Sequence, residues 1–516
     1  MVKQISIKCR PEDFQRPEWL RRILGNKLHI DPNKIADFRI LKYSIDARGD
    51  YVLYNVKLEY SLRHKLPGQT YQSFKPQNVE NAPEVFVVGF GPAGMFASLR
   101  LIERGFKPVI FERGKAVEDR KKDIVALHRN AGVNPDSNYA YGEGGAGTYS
   151  DGKLFTRSKK RGDRNYVLNV LHQYGASVDI LQNTRPHIGT DKLPHIIKNI
   201  RNAILDAGGE IHYNSRVTGF RISSDKFSGV ILQNGDFITG KKLILASGHS
   251  AREMYSWFDV NSYPLEAKSF AVGVRVEHPQ ELINSIQYGK DRHNPGLPPA
   301  EYNFAVQTGG RGVYSFCMCP GGSIVPASTE ENAIVVNGMS NSKRNLRWAN
   351  SGFVTGVSNE EACRALNDDN VLSGMHLQEI IEKQAFLNGG NGLYAPAQRL
   401  SDFTSGRLSS DLPESSYSPG LVSSPLHFWL PDFISDALRK GVKRANGLLR
   451  GFLTNEAIVV GVETRTSSPV RIPRDKESME YIGFKGMYPA GEGAGYSGGI
   501  VSSAVDGLVV ADRVTF

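Results

Sequence analysis

The sequence predicts an α/β chain: a Rossmann-like nucleotide-binding domain split in sequence, an inserted α+β substrate or cap domain, and a small N-terminal α+β module. Three observations predict it. An apolar run ends in a G-x-G-x-x-G turn at Gly89, Gly91 and Gly94. A second glycine-rich segment, Tyr488–Ile500, stands at the far end of the chain. The stretch before Leu62 carries a strand and helix pattern of its own.

That first stretch reads in order. Gln4–Lys8 alternates as a strand, and Arg16–Leu28 has a helical apolar stripe through Leu20, Ile23 and Leu24. Asp37–Ser44 and Tyr51–Glu59 read as two further strands, with a turn at Asp46–Asp50 between them. The β-α-β-β order defines a module over residues 1–75. Three prolines among polar residues in Lys65–Pro83 mark a linker running to 83.

Glu84–Val88 is short, apolar and β-branched, as a buried parallel strand requires. Gly89 allows the tight turn after it, Gly91 lets backbone approach a pyrophosphate, and Gly94 lets the following helix pack close. Pro92 and Ala93 begin that helix, and Met95, Phe96, Leu99 and Ile102 give it an apolar face. Its N-terminus aims amide dipoles at phosphate. A second strand, Pro108–Phe111, ends in Glu112, placed to accept hydrogen bonds from ribose hydroxyls, with Arg113 beside it. NAD and FAD both fit this unit.

Other segments decide between them by resemblance. Lys242–Ser250 is an apolar strand running into Ala246, Ser247 and Gly248. It resembles the strand-and-turn element of two-dinucleotide-binding-domain flavoproteins, with Ser247 where threonine is commoner. Ser215–Phe220 resembles the strand whose valine backbone touches adenine in those proteins, here Val217. Tyr488–Ile500 resembles their second FAD motif, with Gly491 followed by Glu492 in place of the usual aspartate on the ribityl chain. Gly499 and Ile500 open a small-residue helix whose N-terminus faces the flavin pyrimidine in that resemblance. Gly142–Gly152 holds five glycines in eleven residues. It is read as backbone passing close to pyrophosphate or flavin at Gly145 and Ala146, the alternative being a mobile lid.

Longer stretches go further. Tyr141–Leu154, Ala246–Arg252, Tyr314–Gly322, Ala395–Arg399 and Thr464–Arg471 are similar to a family of largely uncharacterised bacterial FAD-dependent dehydrogenases. The resemblance implies FAD, a single FAD-binding domain over 84–254 and 455–516, and a substrate or cap domain inserted over 255–454. It carries no substrate with it. Strands are expected in the insertion at Phe270–Val276 and Ala333–Asn337.

No second G-x-G-x-x-G follows a strand, and no C-x-x-C or C-x₄-C pair is present. The chain therefore resembles single-nucleotide flavoproteins, in which hydride passes between flavin N5 and a substrate carbon. Candidates for the accompanying proton and for binding substrate follow from position. His249 follows the turn at Gly248, as a proton donor or as a packing or capping residue. Arg275, Glu277 and His278 end a strand, as an anion clamp with acid and base or as a surface salt bridge. Arg399 and Arg465 are candidates for gripping a carboxylate or phosphate. Cys317 and Cys319, with one residue between them on a strand, share a face, a disulfide between them would be strained, and buried apolar packing is the leading reading over a redox pair or half a metal site. No metal is expected.

The formal charge of +10, from 63 Lys and Arg against 53 Asp and Glu, is densest at Arg157–Arg164. No basic stretch is interleaved with aromatics, which argues against nucleic acid and for an anionic small-molecule substrate. NAD(P)H is a further candidate as transient electron donor. Four cysteines and the lack of an apolar leader or spanning segment point to the cytoplasm. The oligomeric state is left open. Two other readings stand beside this one: a flavoprotein acting on tRNA or a protein, recruited by the N-terminal module, and a non-catalytic redox sensor.

Overall fold

The N-terminal stretch folds as strand, helix, strand, strand. In the computed structural model, which describes residues 2–156 and 162–515, strands Lys3–Cys9, Asp37–Asp46 and Leu53–Ser61 form an antiparallel sheet with the last in the middle. Residues 157–161 of the predicted basic cluster lie outside the described residues. Ile5 and Ile7 pair with Leu58 and Val56, and Leu20 and Leu24 of helix Pro17–Leu28 close the core on that face. Ser6, Lys8, Lys42 and Lys57 occupy the opposite face. Arg10 fixes the module to the insertion through Asp291 at 2.6 Å.

The second layer is a five-stranded parallel sheet. Its order is Met487–Pro489, Leu243–Leu245, Glu84–Val88, Lys107–Phe111 and Glu210–His212. The strand last in sequence thus lies at one edge, beside strands from before the insertion, and the domain is split as expected. Helices Pro92–Glu103 and Ile500–Ala511 pack against each other closely enough that a Cβ on Gly507 would lie 2.1 Å from the Ala93 carbonyl oxygen. Only glycine permits that approach.

The insertion is built on an eight-stranded sheet. Its spine is Arg311–Pro326, Trp348–Val357, Phe270–Pro279, Ile458–Glu463 and Ala395–Arg399, all antiparallel to their neighbours along it. Two expectations shift here. The boundary drawn at 454 precedes a strand, Ile458–Glu463, that belongs to the inserted sheet because it is buried and paired on both sides. The strand expected at Ala333–Asn337 runs instead over Val336–Ser340. Ala327 N–H still bonds the Val335 carbonyl at 2.7 Å in the same register, but Ile334 N–H turns to the Glu382 carbonyl at 3.0 Å, so the backbone before Val335 leaves the ladder. Among the described residues no helix is long and apolar enough to cross a membrane.

Candidate functional site

A cavity of about 530 Å³ opens between the parallel sheet and the insertion. It sits at the C-terminal ends of three parallel strands, where Gly89, Glu112 and Ala246 leave them, the usual ligand position in open α/β sheets. Gly89 has φ +96°, and a Cβ there would lie 2.4 Å from the Ala246 carbonyl oxygen. The turn and the neighbouring strand end are therefore in direct backbone contact. A Cβ on Gly145 would lie 3.0 Å from Gly91 Cα, and one on Gly147 would lie 3.2 Å from Ile500 Cγ1. The glycine-rich segment is thus packed between the two helix N-termini that face the cavity, at Pro92 and Ile500.

Most residues read as cofactor-binding line this one cavity: Gly89, Gly91, Pro92, Ala93, Glu112, Arg113, Gly145, Ala146, Val217, Ala246, Ser247, Gly248, Glu492, Gly499 and Ile500. Gly94 and Gly491 stand behind its wall. A Cβ on Gly94 would meet the Gly89 carbonyl oxygen at 2.0 Å, and Gly491 N–H donates to Asp506 at 2.8 Å. Glu112 has a structural task at this strand end. Its carboxylate accepts backbone N–H bonds from Phe90 at 2.8 Å and from Gly114 and Gly142, both at 2.9 Å. It therefore ties the first glycine turn to the glycine-rich segment. Arg113 lies over the Tyr141 ring at 3.7 Å and pairs with Asp136 and Glu253, each at 2.8 Å.

His249 reaches the cavity and meets Glu492, with Nδ1 3.5 Å from Oε1. Its Nε2 lies 3.2 Å from the Arg465 carbonyl oxygen. A carbonyl only accepts, so Nε2 carries the ring proton and Nδ1 of the neutral ring is bare. Two acceptors facing each other need a proton between them. Burial pushes the Glu492 carboxyl up to about 7 against the pull of Lys268. Burial first, then Arg465 and Arg252, pushes His249 down to about 4. Between those values the carboxyl holds the proton and the imidazole is neutral.

The other catalytic candidates lie elsewhere. Arg275 is fully buried in the inserted sheet, paired with Glu463 at 2.7 Å. Glu277 is buried on Ser416, and His278 is buried with Nε2 2.8 Å from the Phe452 carbonyl oxygen. None of the three lines the cavity, and none forms a surface bridge. The strand carrying them is covered on both faces. Arg399 points away as well, spent on Asp411 at 2.7 Å and the Asn455 carbonyl at 2.6 Å. Arg465 does line the cavity, yet its guanidinium is taken up by Glu382 at 2.9 Å and Thr329 at 2.7 Å.

Sequence reasoning missed the wall opposite the glycine turns. Asp151 joins Lys153 at 2.8 Å and Arg344 at 2.6 Å, and Arg344 also pairs with Glu301. All four reach the cavity. Cys317 and Cys319 both border it, Cys317 in the open and Cys319 from the buried side, which corrects the expectation of two packed thiols. Cys317 is exposed there, with φ +45°, whereas Cys319 is 1% exposed. The strand register slips between Phe316 and Cys319, so the regular alternation that would put both on one face is broken. Among the described residues no cluster of three or more His, Cys, Asp or Glu is placed to hold a metal.

The open backbone at Gly91 and Gly145, two helix N-termini and an acid at the second strand end fit a dinucleotide with its pyrophosphate at the glycine turn. Comparison with known proteins agrees in part. An uncharacterised protein of Clostridium beijerinckii is 40% identical over 514 residues, covering 96% of this chain and 95% of its own. Residues 269–466 match a family model described as FAD-dependent protein, C-terminal domain-like, and residues 1–61 match a domain of unknown function. Among solved structures, CtdE in complex with FAD is 11% identical, with a TM-score of 0.32 over 83% of this chain and 82% of that one. A geranylgeranyl bacteriochlorophyll reductase-like protein of Thermoplasma acidophilum is 13% identical, with a TM-score of 0.33 over 83% and 77%. At such scores neither likeness bears on the reaction of this chain.

Proposed function

The chain belongs to one family with its Clostridium beijerinckii relative, and from its match to the FAD-dependent model we propose that it is an FAD-dependent oxidoreductase acting on a polar or anionic small molecule. The observation that carries this reading is the cavity walled on one side by the glycine turns and on the other by charged side chains of the insertion and the glycine-rich segment. FAD, when bound, supplies two-electron exchange with a substrate carbon.

The chain's own residues divide the remaining work. The first-turn amides of Ala93 and Gly94 and the helix N-terminus at Ile500 hold negative charge. Glu112 and Val217 flank the adenosine end. Lys153, Arg185 and Arg344 stand against Asp151 and Glu301 on the opposite wall, an excess of one positive charge that favours an anionic substrate. The His249–Glu492 pair holds one proton at Glu492 Oε1, within the cavity, ready for the substrate atom that gains or loses charge. NADH or NADPH would serve as transient electron donor.

An absorbance spectrum of the purified protein, before and after anaerobic addition of NADH and NADPH, tests the proposal. Flavin peaks that bleach support a pyridine-nucleotide-dependent reductase. Peaks that persist until a candidate substrate is added support a substrate-reduced dehydrogenase. A protein that shows no flavin even after FAD is supplied removes the reading.

A further inference from the structure

The N-terminal module carries a second depression, of about 760 Å³, at its junction with the nucleotide domain. Lys8, Lys27, Lys42 and Lys57 line it, and no Asp or Glu does. Ser6, Ser44, Asn55 and Thr184 add polar groups between them. All four lysines are exposed, and among the described residues none has an ion-pair partner. Lys42 and Lys57 are direct cross-strand partners. Like charges so placed repel one another. Nearby acids do not relieve this, because Glu59 is taken by Arg39 and Asp46 by Arg48. No carboxylate of the lining offsets the four charges.

We propose that this depression binds a compact polyphosphate, a small molecule carrying two or more adjacent phosphate groups. Lysine suits it as a strongly hydrated point charge with three donors, and hydroxyl and amide groups complete the hydrogen bonding. The volume falls in the range of small-molecule sites, about 300–1,000 Å³. A nucleic-acid strand is disfavoured because Tyr43, the one aromatic residue of the lining, commits its hydroxyl to Asp179 and is half-buried. A membrane surface is disfavoured because the depression is concave and its Ile7 and Val56 are buried, leaving little to insert.

The site also touches the first cavity through the backbone. Thr184 N–H donates to the Tyr43 carbonyl at 3.1 Å, and the next two residues, Arg185 and Pro186, line the nucleotide cavity. A ligand in the depression therefore rests against the segment that continues into the cavity wall.

The test is calorimetric titration of the full chain, carrying its flavin, with inorganic tripolyphosphate at low and at physiological salt. Saturable binding is expected, weakened by salt and weakened about tenfold or more in K42Q/K57Q, with flavin content unchanged. The variant K8Q/K27Q should show the same loss. Both pairs are exposed, so folding is retained, which circular dichroism checks. Binding that survives both variants, or no binding at low salt, overturns the proposal. So does tighter binding, through the same lysines, of a short RNA or of vesicles rich in phosphatidylserine, since either makes the face a macromolecular dock instead.

Discussion

His249 and Glu492 face each other at the cavity edge, Nδ1 3.5 Å from Oε1, while the other ring nitrogen is 3.2 Å from the Arg465 carbonyl oxygen. The arrangement leaves room for one shared proton, held by the carboxyl because burial pushes Glu492 up to about 7 and His249 down to about 4. With Glu492 as donor, the rate of substrate reduction should fall as pH rises through about 7. The variant E492Q should lose that limb and slow the step by about 10²-fold or more, with flavin content measured alongside. A wild-type rate that stays flat across about pH 5–9 would remove the pair from proton transfer.

The same two groups set opposite stability signatures in the flavin-free protein. Glu492 is raised in the folded state, so its contribution is present below the ordinary carboxylate range and is lost as pH rises through about 7. His249 is lowered, so its contribution is present above the ordinary imidazole value and is lost as pH falls toward about 4. Thermal melts across this range should show E492Q flattening the alkaline side only. Identical curves for wild type and E492Q would contradict the buried-carboxyl account.

Gly89 tests the nucleotide turn. With φ +96° and a Cβ that would sit 2.4 Å from the Ala246 carbonyl oxygen, G89A must strain its own backbone and push two strand ends apart. The expected cost is roughly 1–3 kcal/mol from overpacking alone, read as a lower denaturation midpoint, together with loss of bound flavin. Normal flavin content in G89A would show that the turn tolerates displacement and that the cofactor does not depend on it.

Arg275 gives the converse case, a residue of catalytic type used as a strut. Besides Glu463 it bonds Asn350 at 2.9 Å, Asn337 at 3.1 Å and the Cys317 carbonyl at 2.6 Å. Removing one partner of a buried pair costs about 3–5 kcal/mol, whereas replacing both with apolar groups costs far less. R275M should therefore destabilise the insertion strongly, and R275M/E463M should recover much of the loss in urea unfolding. If R275M kept full stability and only lost turnover, Arg275 would belong to the chemistry after all.

These contrasts show where the sequence was legible. Gly89, Gly91, Glu112, Ala246 and His249 follow strand ends directly, so local spacing was enough to bring them to one place. Arg275 and His278 were ambiguous for a physical reason: Phe270–Pro279 is buried on both faces, so period-2 alternation singles out no side that meets a ligand. The Asp151–Arg344 contact joins residues far apart in sequence, and nothing local announces either partner. The same holds for Glu382, which gathers Arg252 and Arg465 from two other segments. Split domains make their glycine turns readable and leave the opposite wall to tertiary packing.

Cys317 is where that wall is most open to experiment. The register slip and φ +45° turn it into the cavity, while Cys319 stays buried with its thiol toward the Cys317 carbonyl at 3.3 Å. Desolvation outweighs the pull of Lys153 and pushes the Cys317 thiol up to about 11. At neutral pH it is a neutral thiol, so it contributes shape and weak polarity to the cavity and does not act as a resting nucleophile. Alkylation by iodoacetamide, followed by mass spectrometry, should modify Cys317 ahead of Cys319. Its rate should climb about tenfold per pH unit past the ordinary thiol value near 8.5, with no plateau until about 11. A plateau near the ordinary value would mean that the Lys153 ammonium stabilises the thiolate more than the cavity wall disfavours it, and Cys317 would then join the candidates for chemistry.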